Sequence, residues 1–296
     1  NKIIEEEEKW VEEKKIGVLP KSPKVESDLG IEVKAVYTPA DIQDKDYLKD
    51  LGFPGEYPFT RGPYPEMSRH KPWRYSVFTG FDTPEETNKR WKFLYEAGQP
   101  VFNCVYDLPS LMGLDPDDPL CEGEVGRVGI PICSTADIET VFQDLPIGKV
   151  PFFGNNETMA PIIVAFYIAA ARKRGIAEAD LPGNISNDPL STAASKSTVV
   201  FPVRHSFRFA CDLIEYACKN MPHFYPTNVK GINMSEGGAS MSQEMGFSFS
   251  HACCYIEECL KRGLDADDVA LGITFFLGPT PHLFEEMAKY RASRRL

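Results

Sequence analysis

The sequence predicts an α/β fold: a (β/α)8 TIM-type barrel, incomplete in this chain, with about six βα units behind an N-terminal extended arm. Three observations predict it. From residue 84 onward, short apolar runs alternate with segments of helical period. Some helical segments carry end signals: Ser134 opens one, and Gly175 and Gly263 follow the ends of two others. No G-x-G-x-x-G follows the first strand, so a dinucleotide-binding sheet is not supported. An open sheet with helices on both faces is the alternative.

Residues 1–16 are charged with spaced apolar positions (Ile3, Ile4, Trp10, Val11, Ile16), the pattern of an exposed amphipathic helix that is either a solvated arm or a subunit contact. Residues 17–70 are rich in Pro, Gly and Tyr and read as an extended lead-in, with a helix start at Thr38-Pro39-Ala40-Asp41. Pro84 to Ala97 has helical spacing. Strands are expected at Val101–Tyr106, Val128–Ile132, Lys149–Phe153, Gly183–Ser186, Asn228–Ile232 and Val269–Phe276. Helices are expected from Ser134, over Met159–Arg174, Arg204–Asn220 and Ala239–Arg262, and over His282–Arg294. A complete barrel of this kind takes about 250 residues, more than follow the first strand, so two units are missing from the pattern. The domain reading is residues 1–70 as N-terminal helix and lead-in, and 71–296 as partial barrel. An unclosed barrel would be unstable alone.

The formal net charge is -11, which argues against nucleic acid or an anionic membrane as partner. No stretch of 18 apolar residues is present, so no membrane span is expected. The eight cysteines (Cys104, Cys121, Cys133, Cys211, Cys218, Cys253, Cys254, Cys259) form no C-x-x-C pair and read as buried free thiols of a cytoplasmic protein, without a metal site. The chain opens on Asn1 with neither a signal peptide nor an initiator Met, as a partial reading frame would.

In a barrel, chemistry sits at the C-terminal ends of the strands. The polar residues there are Asp107, Asn155, Asn156, Glu157, Ser186, Asn187, Asp188, Asn233, Ser235, Glu236 and Thr274, with no histidine among them. The histidines (His70, His205, His223, His251, His282) fall in loops and helices, so neither a hydrolase triad nor a His-based metal site is supported. Asp188 and Glu236 could act as an acid–base pair, or cap helices; Asp188 directly before Pro189 suits a cap. The run Pro54–Pro65 sets prolines and glycines around Tyr57, Thr60, Arg61 and Tyr64. Such a rigid turn presenting an arginine suits a phosphate or carboxylate, or else a packed wrap.

Within that run, Pro-Phe-Thr-Arg-Gly-Pro-Tyr-Pro (Pro58–Pro65), followed by Met67, Pro72-Trp73 and Ala97-Gly98-Gln99, resembles the large catalytic subunit of the methylmalonyl-CoA mutase family. The similarity continues through Asp107-Leu108-Pro109, Asp117-Asp118-Pro119, Asn187-Asp188, Met221-Pro222, Gly238-Ala239 and Glu286-Met287-Ala288-Lys289. The resemblance implies a barrel threaded by the CoA pantetheine arm. It also implies adenosylcobalamin held mainly by a cobalamin-binding domain or subunit absent from this chain, a radical rearrangement of an acyl-CoA, and a dimer or hetero-oligomer. The family's Asp-x-His-x-x-Gly cobalt-ligand motif is not in these 296 residues.

Carried over position by position, the resemblance makes Arg61, Tyr64, Pro65 and Met67 CoA contacts. Ser68 stands where the family's substrate-stacking tyrosine would be. Asn184-Ile185-Ser186 stands for Thr-Ile-Gln, Lys196 for the arginine that pairs with the substrate carboxylate, Gly231-Ile232-Asn233 for Gly-Tyr-His, and Gly272-Ile273-Thr274 for Arg-Leu-Ser. Lys196 and Asn233 are the implied catalytic positions. Asn184, Ser186, His223 and Thr274 join them as substrate contacts. Lysine keeps the charge without the bidentate fork, and asparagine can donate a hydrogen bond but not carry a proton. The expectation is a mutase for an acyl-CoA other than methylmalonyl-CoA, or a non-catalytic partner subunit.

Overall fold

The computed structural model describes residues 2–14, 26–27, 30–69, 72–196 and 199–296. Ile16 and His70 lie outside the described residues. Cα packing divides the chain into two units: Asn1–Trp73 with Ser240–Ser242 and Pro279–Leu296, and Arg74–Ala239 with Gln243–Gly278. In chain order the elements are α1 (Lys2–Lys14), α2 (Pro84–Glu96), β1 (Phe102–Val105), α3 (Leu108–Met112), α4 (Thr135–Val141), β2 (Phe152–Asn155), α5 (Ala160–Lys173) and β3 (Gly183–Ile185). They continue with α6 (Pro189–Ser195), α7 (Val203–Asn220), β4 (Phe224–Tyr225), β5 (Thr227–Val229), α8 (Gly231–Glu236), α9 (Met241–Lys261), α10 (Ala266–Leu271), β6 (Ile273–Phe275) and α11 (Leu283–Arg295).

In the second unit every strand pairing is parallel: β1-β2-β3-β4 in one sheet and β5-β6 in another. Helices return the chain between hydrogen-bonded strands, the α/β pattern the sequence predicts. Side chains alternate along each strand. Phe102, Cys104, Phe152, Ile185 and Phe224 enter one core with Trp91, Phe142 and Tyr167. There Trp91 stacks on Phe102 at 4.8 Å between centroids, and its indole N–H donates to Thr79 Oγ1 at 2.6 Å. A second core gathers Val229, Cys211, Ile214, Tyr255, Cys259 and Val269, with Phe207 stacked on Tyr255 at 5.3 Å. Helix α7 serves both cores: Leu213 and Ala217 face the first, Ala210, Cys211 and Ile214 the second.

Several expectations are corrected. The strand expected at Val128–Ile132 is reduced to a single parallel bridge, Tyr106 to Ile130. Pro131 follows at once and has no N–H to continue the ladder. The strand expected at Asn228–Ile232 ends at Val229, and Ile232 lies in α8. Its start moves forward to Phe224, where Pro226 splits the run into β4 and β5. Val269 belongs to α10 instead of a strand, because the Asp265 side chain accepts from the Asp267 N–H and opens a helix there. The short helices α3 and α6 were too brief to show a period. Nor are all the cysteines buried: Cys133, Cys253 and Cys254 are exposed.

In the first unit, Glu7 of α1 accepts from Lys34 Nζ at 3.1 Å and Thr38 Oγ1 at 3.0 Å. The expected start at Thr38 is a single 3-10 turn, Pro39–Ile42, with Asp41 accepting from the Thr38 N–H at 2.7 Å. The lead-in is more turned than extended, with a wide turn at Tyr47–Leu51 and another 3-10 turn at Met67–Arg69. Asp50 pairs with Arg295 of α11 at 3.5 Å.

Candidate functional site

The strand face turned away from the two cores is built largely of amides and hydroxyls. Asn103 Nδ2 donates to Ser76 Oγ at 2.9 Å, and Asn155 Nδ2 donates to Asn103 Oδ1 at 2.7 Å. Ser186 Oγ donates to Asn155 Oδ1 at 3.4 Å. Asn184 Nδ2 donates to Thr274 Oγ1 at 3.0 Å, and Asn184 Oδ1 accepts from Asn228 Nδ2 at 3.4 Å. Val105, Phe153 and Tyr225 are interspersed by the same alternation. Parallel strands usually carry apolar residues on both faces, and closed barrels of this class fill their interior with Val, Ile and Leu. A face of linked amides instead offers donors and acceptors to a polar ligand. Asn228 Oδ1 is buried with no hydrogen-bond partner, an acceptor left open on that face.

At the C-terminal ends of the strands lies a buried charge cluster. Glu157 follows β2, Lys230 follows β5, and Lys196 closes the helix α6 that follows β3. Glu157 Oε1 accepts from Lys230 Nζ at 2.9 Å and from Lys196 Nζ at 3.2 Å. The Lys230 and Glu157 side chains are 8% and 9% exposed, while Lys196 is 39% exposed and is the member open to solvent. Burial pushes the Glu157 carboxyl up, but attraction by the Lys230 and Lys196 ammoniums outweighs it and holds the group below its ordinary value.

A second buried carboxylate, Asp188, has a different task. It caps α6 by accepting from the Ser191 N–H at 3.3 Å, and accepts the Ser191 hydroxyl, the Lys230 N–H at 3.0 Å and the Tyr255 hydroxyl at 2.8 Å. His251 Nδ1 stands 3.8 Å away. Burial raises its carboxyl, and the neighbouring His251 ring, with the hydrogen bonds from Ser191 and the Lys230 N–H, holds it below its ordinary value. Glu236 is exposed at the end of α8, so the acid–base pair with Asp188 is not formed and the capping alternative holds.

Asn233 sits in α8, three residues beyond Lys230, with its Nδ2 buried and without a hydrogen-bond partner. The structure therefore gathers Asn184, Ser186 and Thr274 on the polar strand face, and Lys196 with Asn233 after the strands. His223 is not gathered with them. It is exposed and immediately precedes β4, at the opposite end of the strands.

In the first unit, Arg61 is exposed and donates to the Tyr47 hydroxyl at 2.5 Å. The loop bearing it closes through the Gly55 N–H to Gly62 O at 2.9 Å, and Thr60 Oγ1 donates to Leu51 O at 2.7 Å. Gly62 packs against the Met67 side chain at φ +119, a backbone conformation that favours glycine. Tyr64, Pro65 and Ser68 are exposed on the same loop.

Glu157 and Lys230 form the charged centre that sequence reasoning missed. Glu157 was visible only as one polar strand end among many, and Lys230 not at all. The available signal was position: each lies within two residues of a strand's C-terminal end.

A family model described as methylmalonyl-CoA mutase matches residues 26–296. The 2-hydroxyisobutanoyl-CoA mutase large subunit of Aquincola tertiaricarbonis is 39% identical over 263 residues, 89% of this chain and 47% of its own. The methylmalonyl-CoA mutase of Rhizobium meliloti is 34% identical over 285 residues, covering 96% of this chain and 40% of its own. The human mitochondrial methylmalonyl-CoA mutase is 34% identical over 268 residues, covering 90% and 35%. The chain spans less than half the length of these curated relatives.

Proposed function

Because the chain belongs to the methylmalonyl-CoA mutase family, we propose that it forms the substrate-binding part of an acyl-CoA mutase, an isomerase acting on an acyl-CoA other than methylmalonyl-CoA. On this reading residues 71–296 supply part of a (β/α)8 barrel, preceded by a helix and CoA-contacting lead-in over 1–70. The single observation that carries this reading is the amide-lined strand face running up to a charged cluster at the strand C-termini. A linear ligand with amide groups finds partners along such a face, and its reacting end arrives where the charged side chains lie.

On this reading Asn184, Ser186 and Thr274 hold the amide-bearing arm. The open N–H of Asn233 donates to the thioester carbonyl. The exposed ammonium of Lys196 donates to a polar group on the acyl chain. His223, at the far end of the strands, meets the nucleotide end of the ligand, and Arg61 with the Tyr64–Ser68 loop binds CoA. Arg61→Ala is expected to weaken CoA binding by about 2 kcal/mol through the loss of a charge-assisted contact, read by isothermal titration.

Adenosylcobalamin is the proposed cofactor, bound mainly by a domain or subunit outside these 296 residues. No histidine of these 296 residues stands in the Asp-x-His-x-x-Gly motif of a cobalt ligand. His205, His223 and His282 are exposed, and His251 Nδ1 faces Asp188 and Ser191. Among the described residues no three His, Cys, Asp or Glu side chains gather to hold a metal. The roles above therefore concern the acyl-CoA alone. The test is turnover of a panel of acyl-CoAs by the complete protein with its cobalamin-binding part and adenosylcobalamin. A substrate-dependent cob(II)alamin spectrum with one acyl-CoA supports the mutase. Silence across the panel from a demonstrably assembled complex makes this a non-catalytic binding subunit.

A further inference from the structure

The cluster of Glu157, Lys196 and Lys230 holds two ammoniums on one carboxylate oxygen, at 3.2 and 2.9 Å. With all three ionised its charge is +1; without Glu157 it would be +2. The buried carboxylate of Asp188 meets Lys230 only through the backbone N–H and is otherwise occupied by Ser191 and Tyr255. Glu157 is thus the residue that sets the charge of this cluster, and its low proton affinity keeps it charged at neutral pH.

We propose that Glu157 is a specificity-determining residue, which disfavours a free carboxylate on the acyl group and favours an uncharged polar one. The proposal rests on the acyl-CoA reading above. Lys196 is the solvent-open cation, and an acyl substituent that reaches it must share its ammonium with Glu157. A second carboxylate there stands within about 6 Å of the buried Glu157 charge, and the two like charges repel. A hydroxyl or carbonyl accepts one of the remaining ammonium N–H groups without that repulsion. Were Glu157 only a structural counter-ion for buried Lys230, its charge would affect stability and leave ligand choice alone.

The test is isothermal titration of the complete protein with methylmalonyl-CoA, which carries a carboxylate, and 2-hydroxyisobutanoyl-CoA, which does not, with CoA as the baseline. Glu157→Gln is expected to shift the ratio of the two dissociation constants toward the carboxylated ligand by on the order of tenfold or more. Glu157→Gln combined with Lys230→Met restores the charge of +1 and is expected to restore the wild-type ratio. Should Glu157→Gln alone not fold, Lys230→Met and the double variant ask the same question, because both lack the buried cation and differ only in the charge at 157. The same shift between that pair supports the proposal. An unchanged ratio, or a shift that does not follow cluster charge, overturns it. Binding of neither acyl-CoA nor CoA to the wild type defeats the acyl-CoA reading itself, whereas binding of both with an unmoved ratio defeats only the role of Glu157.

Discussion

On one side of the strands, Phe102, Phe152, Ile185 and Val229 disappear into aromatic and aliphatic cores; on the other, Asn103, Asn155, Asn184 and Asn228 pass hydrogen bonds from strand to strand. The two faces are one residue apart in sequence and differ in what they do for the protein. The apolar face gains stability in proportion to the area it removes from water. The amide face exchanges water hydrogen bonds for protein ones at small net gain, and keeps capacity for a ligand. Stability and recognition are thereby divided between alternate positions of the same strands.

Substitutions can break or sharpen that division. The largest effect is expected from Trp91→Ala on the core side, about 4 kcal/mol of unfolding free energy by urea denaturation of the complete protein, since a fully buried indole leaves a cavity. Asp188→Ala should follow at about 3 kcal/mol, because the Tyr255 hydroxyl, the Ser191 groups and the Lys230 N–H lose their buried acceptor together. Asn184→Ala on the amide face should cost only about 1 kcal/mol, yet weaken acyl-CoA binding severalfold by titration calorimetry. A loss of stability equal to that of Trp91→Ala would erase the distinction between the faces.

The smallest effect should come from pH. Asp188 and Glu157 both have folded values below their ordinary ones, so the unfolded chain binds protons more readily than the folded one. Their contribution is fully present above the ordinary carboxylate range and is lost as pH falls through the depressed folded values. Urea midpoints should therefore drop in acid, and Glu157→Gln should flatten part of that slope. An equal slope in the variant would mean that Glu157 does not titrate with folding.

Much of the fold was readable from pattern. The long helices α5, α7 and α9 showed their period. The helix start at Ser134 and the Asp188–Pro189 cap were readable because short-range hydrogen bonds belong to the local sequence. The strands were harder. At Val128–Ile132 and at the start of Val269–Phe276 a β-branched, apolar run looked extended, but pairing needs a neighbour with free N–H groups; Pro131 left a single bridge in the first, and the Asp265 cap turned the opening of the second into helix while Ile273–Phe275 stayed a strand. For the site, position at a strand end pointed to Asn155, Ser186 and Thr274. Lys230 escaped because an isolated lysine in sequence reads as surface; only the fold brings Glu157 from 73 residues away to bury with it.

Pro226 has a dynamic consequence. With no N–H at that position, the strand run from Phe224 to Val229 is divided, and each half belongs to a different sheet and a different core. A division of this kind defines cooperative units of local opening. In native-state hydrogen exchange, amides of β1–β3 should share one protection level and those of β5 and β6 another, with α7 tracking whichever core opens last.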